Sequence, residues 1–252
     1  MGPLTGRTAL VTGSTGGIGV AIAERLAADG AYVLVSGRRR DLGEKVVAGI
    51  LERGGRAEFL PADLATGAGV TALAEAASAA VGGRIDILVN NAAALVGGRA
   101  TVDTPESLVD VVLDTNIKAP FLLTAALVPA MIEAGAGSII NVGSVNGVTG
   151  MSGAALYGAS KAALHGMTKA WAAEWAQHGV RVNTVAPGPT ATDLNVSVAD
   201  QLDGLVSGVP SRRMSEPAEV AAVVSFLAGD EATHVHGATI PVDGGLTATF
   251  PR

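Results

Sequence analysis

The 252-residue sequence contains no cysteine. That single absence removes disulfide staples, thiolate metal sites and thiol catalysis together. Aromatic residues make up only 3% of the chain, so a ligand pocket has to be walled mainly by small or flexible side chains. No long run of one charge sign occurs. With a formal net charge of −6, a nucleic-acid partner has little electrostatic support. Long uninterrupted apolar runs are missing too. The most apolar stretch, Ile117 to Ile132, carries Lys118, Pro120 and Pro129 and reads as too short for a membrane span, so no membrane partner is expected. The N-terminus lacks a basic-then-apolar leader pattern, so a cytoplasmic protein is the expectation. The four histidines, His165, His178, His234 and His236, have no acidic or histidine company at ligand spacing, and no metal site is expected.

What is present is an alternation. Short runs rich in apolar and β-branched residues fall at Thr8–Thr12, Tyr32–Ser36, Ala57–Ala62, Ile85–Asn90, Ser138–Val142, Arg181–Ala186 and Thr239–Val242. Several are almost continuously apolar, as parallel strands buried on both faces are. Helical patterns separate them: Gly17–Asp29, Leu42–Arg53, Gly69–Ala80, Pro105–Asp114, Phe121–Glu133 (continuing from the helix before it or just after it), Ala155–His178 and Glu216–Ala228, the last opened by Ser215 and Pro217. Repeated strand–helix–strand units predict an α/β fold: one Rossmann-like, doubly wound parallel sheet of about seven strands, with helices on both faces. Residues 1–252 read as a single dinucleotide-binding domain. Residues 188–213 lack periodicity and are rich in Gly, Pro and Ser, which predicts a substrate-binding lid within it.

Two motifs carry chemistry. Tyr157 and Lys161 stand four apart within a helical pattern, so their side chains share one face. A cation beside a phenol favours the phenolate and lowers its pKa, giving a proton donor and acceptor nearer to physiological pH. With two tyrosines and four lysines in the chain, this offset arises by chance about 3% of the time, so the pair is suggestive by itself. The second motif is the run Thr12-Gly13-Ser14-Thr15-Gly16-Gly17-Ile18-Gly19. It follows an apolar strand and opens an amphipathic helix, where glycines let the backbone turn sharply beneath a pyrophosphate.

Taken together, these residues resemble the short-chain dehydrogenase/reductase family, and in particular its 3-oxoacyl carrier-protein reductase-like members. The resemblance spans essentially the whole chain, with motifs in the family's order. It implies Asn116, Ser144, Tyr157 and Lys161 as catalytic residues. For the cofactor it implies Gly13, Ser14, Thr15, Gly17, Ile18 and Gly19 of the glycine turn, Asp63 and Leu64 after the third strand, and Asn90 and Ala92 of Asn90-Asn91-Ala92-Ala93. Tyr157 and Lys161, Pro187 and Gly188, and Thr190 and Thr192 complete that set. Ala93 departs from the family's glycine. Val242-Asp243-Gly244-Gly245 resembles the C-terminal signature and reads as a turn and subunit contact. In this scheme Tyr157 is the proton donor and Lys161 lowers its pKa and holds the ribose. Ser144 stabilises the substrate oxygen, and Asn116 holds a water against Lys161.

The implied activity is hydride transfer between a nicotinamide cofactor and a small-molecule carbonyl or secondary alcohol. A catalytically silent nucleotide-binding regulator stays open beside it, as does an isomerase or dehydratase with tightly bound cofactor. At the end of the second strand no acidic residue occurs, and Arg38 offers a planar fork suited to a 2′-phosphate, with Arg39 beside it. NADP(H) is therefore favoured, with NAD(H) possible, because Gly16 stands where many NADP-dependent relatives carry a basic residue. The family further implies a homotetramer or homodimer, built on the helix of Tyr157 and the one around Leu108 to Met131. Trp171 and Trp175 continue a stripe with Leu164 and Thr168 that predicts core or subunit contact.

Overall fold

Strand β1 (Thr8–Thr12) is buried along its last four residues, and neighbouring side chains on it go to opposite sides of the sheet. Ala9 and Val11 join one apolar cluster, and Leu10 joins the other. The same split recurs on β2 (Tyr32–Gly37), where Val33 and Val35 go one way and Leu34 the other. Two-sided burial of this kind explains why the strands read as continuous apolar runs. The computed structural model describes residues 2–96, 98–192 and 206–248.

The remaining strands are β3 (Arg56–Pro61), β4 (Ile87–Asn90), β5 (Gly137–Val142), β6 (Val180–Pro187) and β7 (Thr239–Val242). They form one seven-stranded sheet in the order β3-β2-β1-β4-β5-β6-β7, and every pairing is parallel. Helices α1 (Gly17–Ala28) and α2 (Arg40–Glu52) cover one face, with Ile22, Leu26, Val46 and Ile50 in its cluster. Helices α3 (Gly67–Ala80), α4 (Glu106–Leu113), α5 (Ala119–Glu133) and α6 (Ala155–Trp175) follow in the chain. Of these, α3, α5 and α6 supply Leu73, Leu127, Met131 and Trp171 to the cluster on the opposite face. Helix α7 (Pro217–Ala228) returns to the α1 side with Val220, Val224 and Leu227. The strand order reverses between β1 and β4, which opens a crevice at the carboxyl ends of the strands.

Two local expectations need correction, and an open one is settled. Helix α7 is capped by Glu216 and Glu219 in a reciprocal capping box, while Ser215 donates to the Val242 carbonyl at 3.2 Å. Its extra bond to β7 takes Ser215 out of the cap. Of the two readings left open for Phe121–Glu133, continuation from the helix before it is the one that holds. A π-helical turn, Asp114–Lys118, joins α4 and α5 into one 28-residue helix, Glu106–Glu133. Pro120 has no N–H to close on the Asn116 carbonyl, which favours a widened turn there. The stretch Ile117 to Ile132 is thus part of a helix that, by length and composition alone, is long and apolar enough to cross a membrane. It lies along the sheet instead, burying Val112, Ala119, Leu123, Leu127 and Met131. Of the lid expected at 188–213, residues 193–205 lie outside the described residues.

Candidate active site

The glycine turn sits between β1 and α1, and its neighbours leave room for little else. A Cβ on Gly13 (φ +65°) would lie 2.8 Å from the Ala92 Cα, and one on Gly19 2.4 Å from the Gly13 carbonyl oxygen. Gly17 has φ +52°, a left-handed conformation that favours glycine. Ser14 is turned inward: its hydroxyl donates to Val11 O at 2.7 Å and accepts from Ser36 N at 3.0 Å, pinning the turn to β2. At the N-terminus of α1 no side chain caps the helix and no acid occupies the first turn, so its N–H groups are open to an anion. The side of the turn nearest β2 carries a cation. Arg39 Nη2 donates to the Thr15 carbonyl at 3.4 Å and lies 3.1 Å from where a Gly16 Cβ would be. Arg38 is exposed beside it.

Asn91, quoted in a motif but given no role from the sequence, secures the turn from the other side. Its Nδ2 donates to Thr12 O at 2.8 Å and Gly13 O at 3.1 Å, and its N–H donates to Thr12 Oγ1 at 3.0 Å. Asn90 points the opposite way, into the protein. Its Nδ2 donates to Thr124 Oγ1 and Asn141 Oδ1, and Asn141 Nδ2 passes the chain on to Thr168 Oγ1 at 2.8 Å and thence Thr184. That buried polar ladder ties β4, β5 and β6 to α5 and α6 beneath the crevice. Thr168 belongs to it, so the stripe of Leu164, Thr168 and Trp171 is interior. Trp175 stacks on Trp171 at 5.7 Å.

The floor between the turn and α6 is a small cleft lined by Thr12, Leu64, Asn90, Ala92, Asn116 and Leu164. Asp63 accepts from Ala65 N at 3.2 Å, in the loop after β3. Past β6, Gly188 N donates to Val242 O at 3.0 Å, Thr190 bridges to Ser215, and Thr192 reaches within 3.3 Å of a Gly17 Cβ position. The segment after β6 therefore closes back onto the glycine turn, 175 residues away in sequence (192 − 17). Asp243 folds the C-terminal signature as a turn, accepting from Gly245 N and from Thr247 N and Oγ1. Ala93 is half-buried in the loop after β4.

Ser144, Tyr157 and Lys161 come together at the carboxyl end of β5. The Ser144 hydroxyl lies close enough to the Tyr157 phenol to pull its pKa down, and it accepts from Asn146 N at 3.2 Å. The Lys161 ammonium lies 5.7 Å from the centre of the Tyr157 ring and donates to Val142 O at 2.8 Å. Lys161 is 3% exposed, with no acidic partner among the described residues. Burial alone pushes its pKa down to about 8.

The electrostatics revise the expected roles. Burial pushes the Tyr157 phenol above its ordinary value, and the Ser144 hydroxyl pulls part of the way back; the ammonium is not what lowers it in the protein alone. Asn116 sits in the π-turn, where Oδ1 accepts from Ala94 N at 2.7 Å and Nδ2 donates to Ala94 O and Ser160 Oγ, both at 3.1 Å. Ser160 in turn donates to the Tyr157 carbonyl. Asn116 thus clamps the β4 loop to α6. Next to Tyr157 a cavity of about 240 Å³ is lined by Val96, Arg99, Thr101, Thr104, Val109 and Leu156, among others.

A glycine turn at an uncapped helix start, a phenol with a hydroxyl neighbour and a buried ammonium with no acidic partner among the described residues now share one crevice. The glycine cradle and the uncompensated Lys161 fit an extended anionic dinucleotide. Comparison with known proteins agrees. The family profile described as enoyl-(acyl carrier protein) reductase matches residues 13–247. The cyclopentanol dehydrogenase of Comamonas testosteroni is 39% identical over 256 residues, covering 98% of this chain and 100% of that protein. A short-chain dehydrogenase/reductase from Serratia marcescens superposes with a TM-score of 0.92 at 34% identity, over 97% of this chain and 99% of its own. The gluconate 5-dehydrogenase of Burkholderia cenocepacia, solved with NADP and tartrate, gives a TM-score of 0.90 at 34% identity, over 98% and 97% of the two chains.

Proposed function

The chain belongs to the short-chain dehydrogenase/reductase family and is an NAD(P)-dependent oxidoreductase, and on that premise we propose how its own residues do the work. The nicotinamide, when bound, supplies or accepts the hydride. Tyr157 gives a proton to the oxygen of a carbonyl being reduced and takes it back in alcohol oxidation. Ser144 donates a hydrogen bond to that oxygen as its charge grows. Lys161 holds the ribose hydroxyls and, once the crevice is filled, supplies the positive charge that favours the phenolate. Asn116 acts by position, holding the β4 loop against α6. Gly13, Ser14, Thr15, Gly17, Ile18 and Gly19 cradle the pyrophosphate. Asp63, Leu64, Asn90 and Ala92 shape the adenosine side, and Pro187, Gly188, Thr190 and Thr192 the nicotinamide side. The observation that carries this assignment is the Ser144–Tyr157–Lys161 cluster at the mouth of the crevice. Following cofactor absorbance over a panel of small ketones and secondary alcohols tests it. Turnover with none of them, by protein that binds the cofactor, would favour a silent regulator.

Within the same proposal the cofactor is NADP(H). Arg38 is exposed just past the end of β2, and Arg39 already lies over the turn, where Gly16 leaves space. A charge-assisted hydrogen bond contributes about 1.5–3 kcal/mol, so Arg38→Ala is expected to weaken NADPH binding by roughly 10–100-fold and NADH binding by less than about 3-fold. Equal losses for the two, measured by titration, would remove the phosphate assignment.

A homotetramer or homodimer in the cytoplasm completes the proposal. The outward side of the 28-residue helix exposes Val111, Phe121 and Leu122, an apolar strip that a second copy would cover. Light scattering is expected to give a multiple of the 24.9 kDa chain mass; a monomer at micromolar concentration would refute the assembly.

A further inference from the structure

His165 stands on α6 one turn beyond Lys161, only 6% exposed, and neither ring nitrogen has a hydrogen-bond partner among the described residues. Buried polar atoms are nearly always paired, so an orphaned imidazole at this place calls for a physical reason. Its neighbours give one. The ring lies against Gly143 and Gly147, the two residues that bracket Ser144 and the 3₁₀ turn Val145–Gly147. A Cβ at Gly143 would lie 2.2 Å from Nε2, and one at Gly147 2.7 Å from Cε1. The N–H of Gly143 is given to Val185 O at 2.8 Å and that of Gly147 to Ser144 O at 2.9 Å, so neither is aimed at the ring. What the turn and the imidazole share is contact: the backbone on both sides of Ser144 rests directly on the flat ring because both bracketing residues lack side chains.

We propose that His165 is a positioning residue for Ser144, a wedge that sets the height of the Gly143–Gly147 turn and so aims the Ser144 hydroxyl at the Tyr157 oxygen and the substrate oxygen beside it. This rests on the role given to Ser144 above. The ring works in its neutral form. Burial and the positive charges of Lys161 and Lys169 all hold its pKa below the ordinary histidine value. A volume-keeping apolar side chain replaces a wedge but not a proton carrier, which separates the two roles.

The test is a double-mutant cycle read in kcat. Ser144→Ala alone is expected to cost at least about 100-fold; if it costs nothing, the role of Ser144 itself falls. His165→Ala is expected to lower kcat by about 10–100-fold in the wild-type background, with the KM of the cofactor changed less than about 3-fold. In the Ser144→Ala background it is expected to cost less than about 2-fold, because the group it aims is gone. His165→Leu is expected to keep kcat within about 5-fold. Equal losses from His165→Ala in both backgrounds, with Ser144→Ala still costly, would overturn the positioning role and leave that of Ser144 standing. A His165→Leu enzyme as poor as His165→Ala would overturn the wedge. Should His165→Ala fail to fold, His165→Val takes its place in the cycle, with the same two outcomes.

Discussion

Tyr157→Phe is expected to lower kcat by about 1,000-fold in carbonyl reduction, within the roughly 10²–10⁴-fold range of a positioned general acid, with little change in cofactor KM. The ring stays, so the packing of α6 against the crevice is kept. What goes is the hydroxyl that faces Ser144 and the proton it delivers. Single-turnover absorbance at saturating cofactor reads the loss directly. A variant within about 5-fold of wild type would remove Tyr157 from the chemistry. The pH dependence carries a sign as well. Burial raises the phenol's pKa in the cofactor-free protein, while the Lys161 charge favours the phenolate once the crevice is filled, so the protonated acid needed for reduction is lost as pH rises through the value these two opposing effects set. Alcohol oxidation needs the phenolate and is expected to rise over the same range. In Tyr157→Phe the residual rate is expected to lose both limbs.

Much of this site was legible in the sequence because its geometry is local. The i, i+4 spacing of Tyr157 and Lys161 needs only a helix, and the glycine turn needs only a strand before it and a helix after it. The strand assignments hold closely, since parallel strands buried on two faces show as apolar runs. What was hidden depended on contacts between distant residues. The clamp that Asn116 makes depends on Ala94 and Ser160, 22 and 44 residues away. The rise of the Tyr157 pKa comes from burial, a tertiary property that no spacing in the sequence shows. Asn91 could have been found: it stands in the quoted motif, and a second amide beside a glycine turn is a candidate clamp. Arg39 over Gly16 follows from the path of the chain after β2, which no spacing in the sequence reveals. His165 had no pattern signal at all, because its partners are two glycines.

Lys161→Met is expected to separate activity from stability. The ammonium is buried, without an acidic partner among the described residues, and its pKa falls from 10.5 to about 8. Holding that charge in the protein without cofactor therefore costs about 3 kcal/mol at neutral pH, taking about 1.4 kcal/mol per pKa unit. Removing it relieves the cost, while losing the charge-assisted bond to Val142 O gives back about 1.5–3 kcal/mol. The net change runs from about zero to a gain of about 1.5 kcal/mol, or up to roughly 6 °C in Tm for a chain of this size. Linkage fixes the sign of the pH dependence. The folded pKa lies below the unfolded one, so the unfolded chain binds more protons between about pH 8 and 10.5, and this group's contribution rises with pH across that window. It is fully present above the unfolded value and lost as pH falls through about 8. Denaturation of the cofactor-free protein is expected to show that rise in wild type and a flatter profile in Lys161→Met. Turnover falls by about 10²–10⁴-fold, because a neutral thioether neither favours the phenolate nor holds a ribose. A Lys161→Met protein that is less stable than wild type at pH 7, with an unchanged pH profile, would show that the lysine is a structural cation satisfied by Val142 rather than a charge held ready for a ligand.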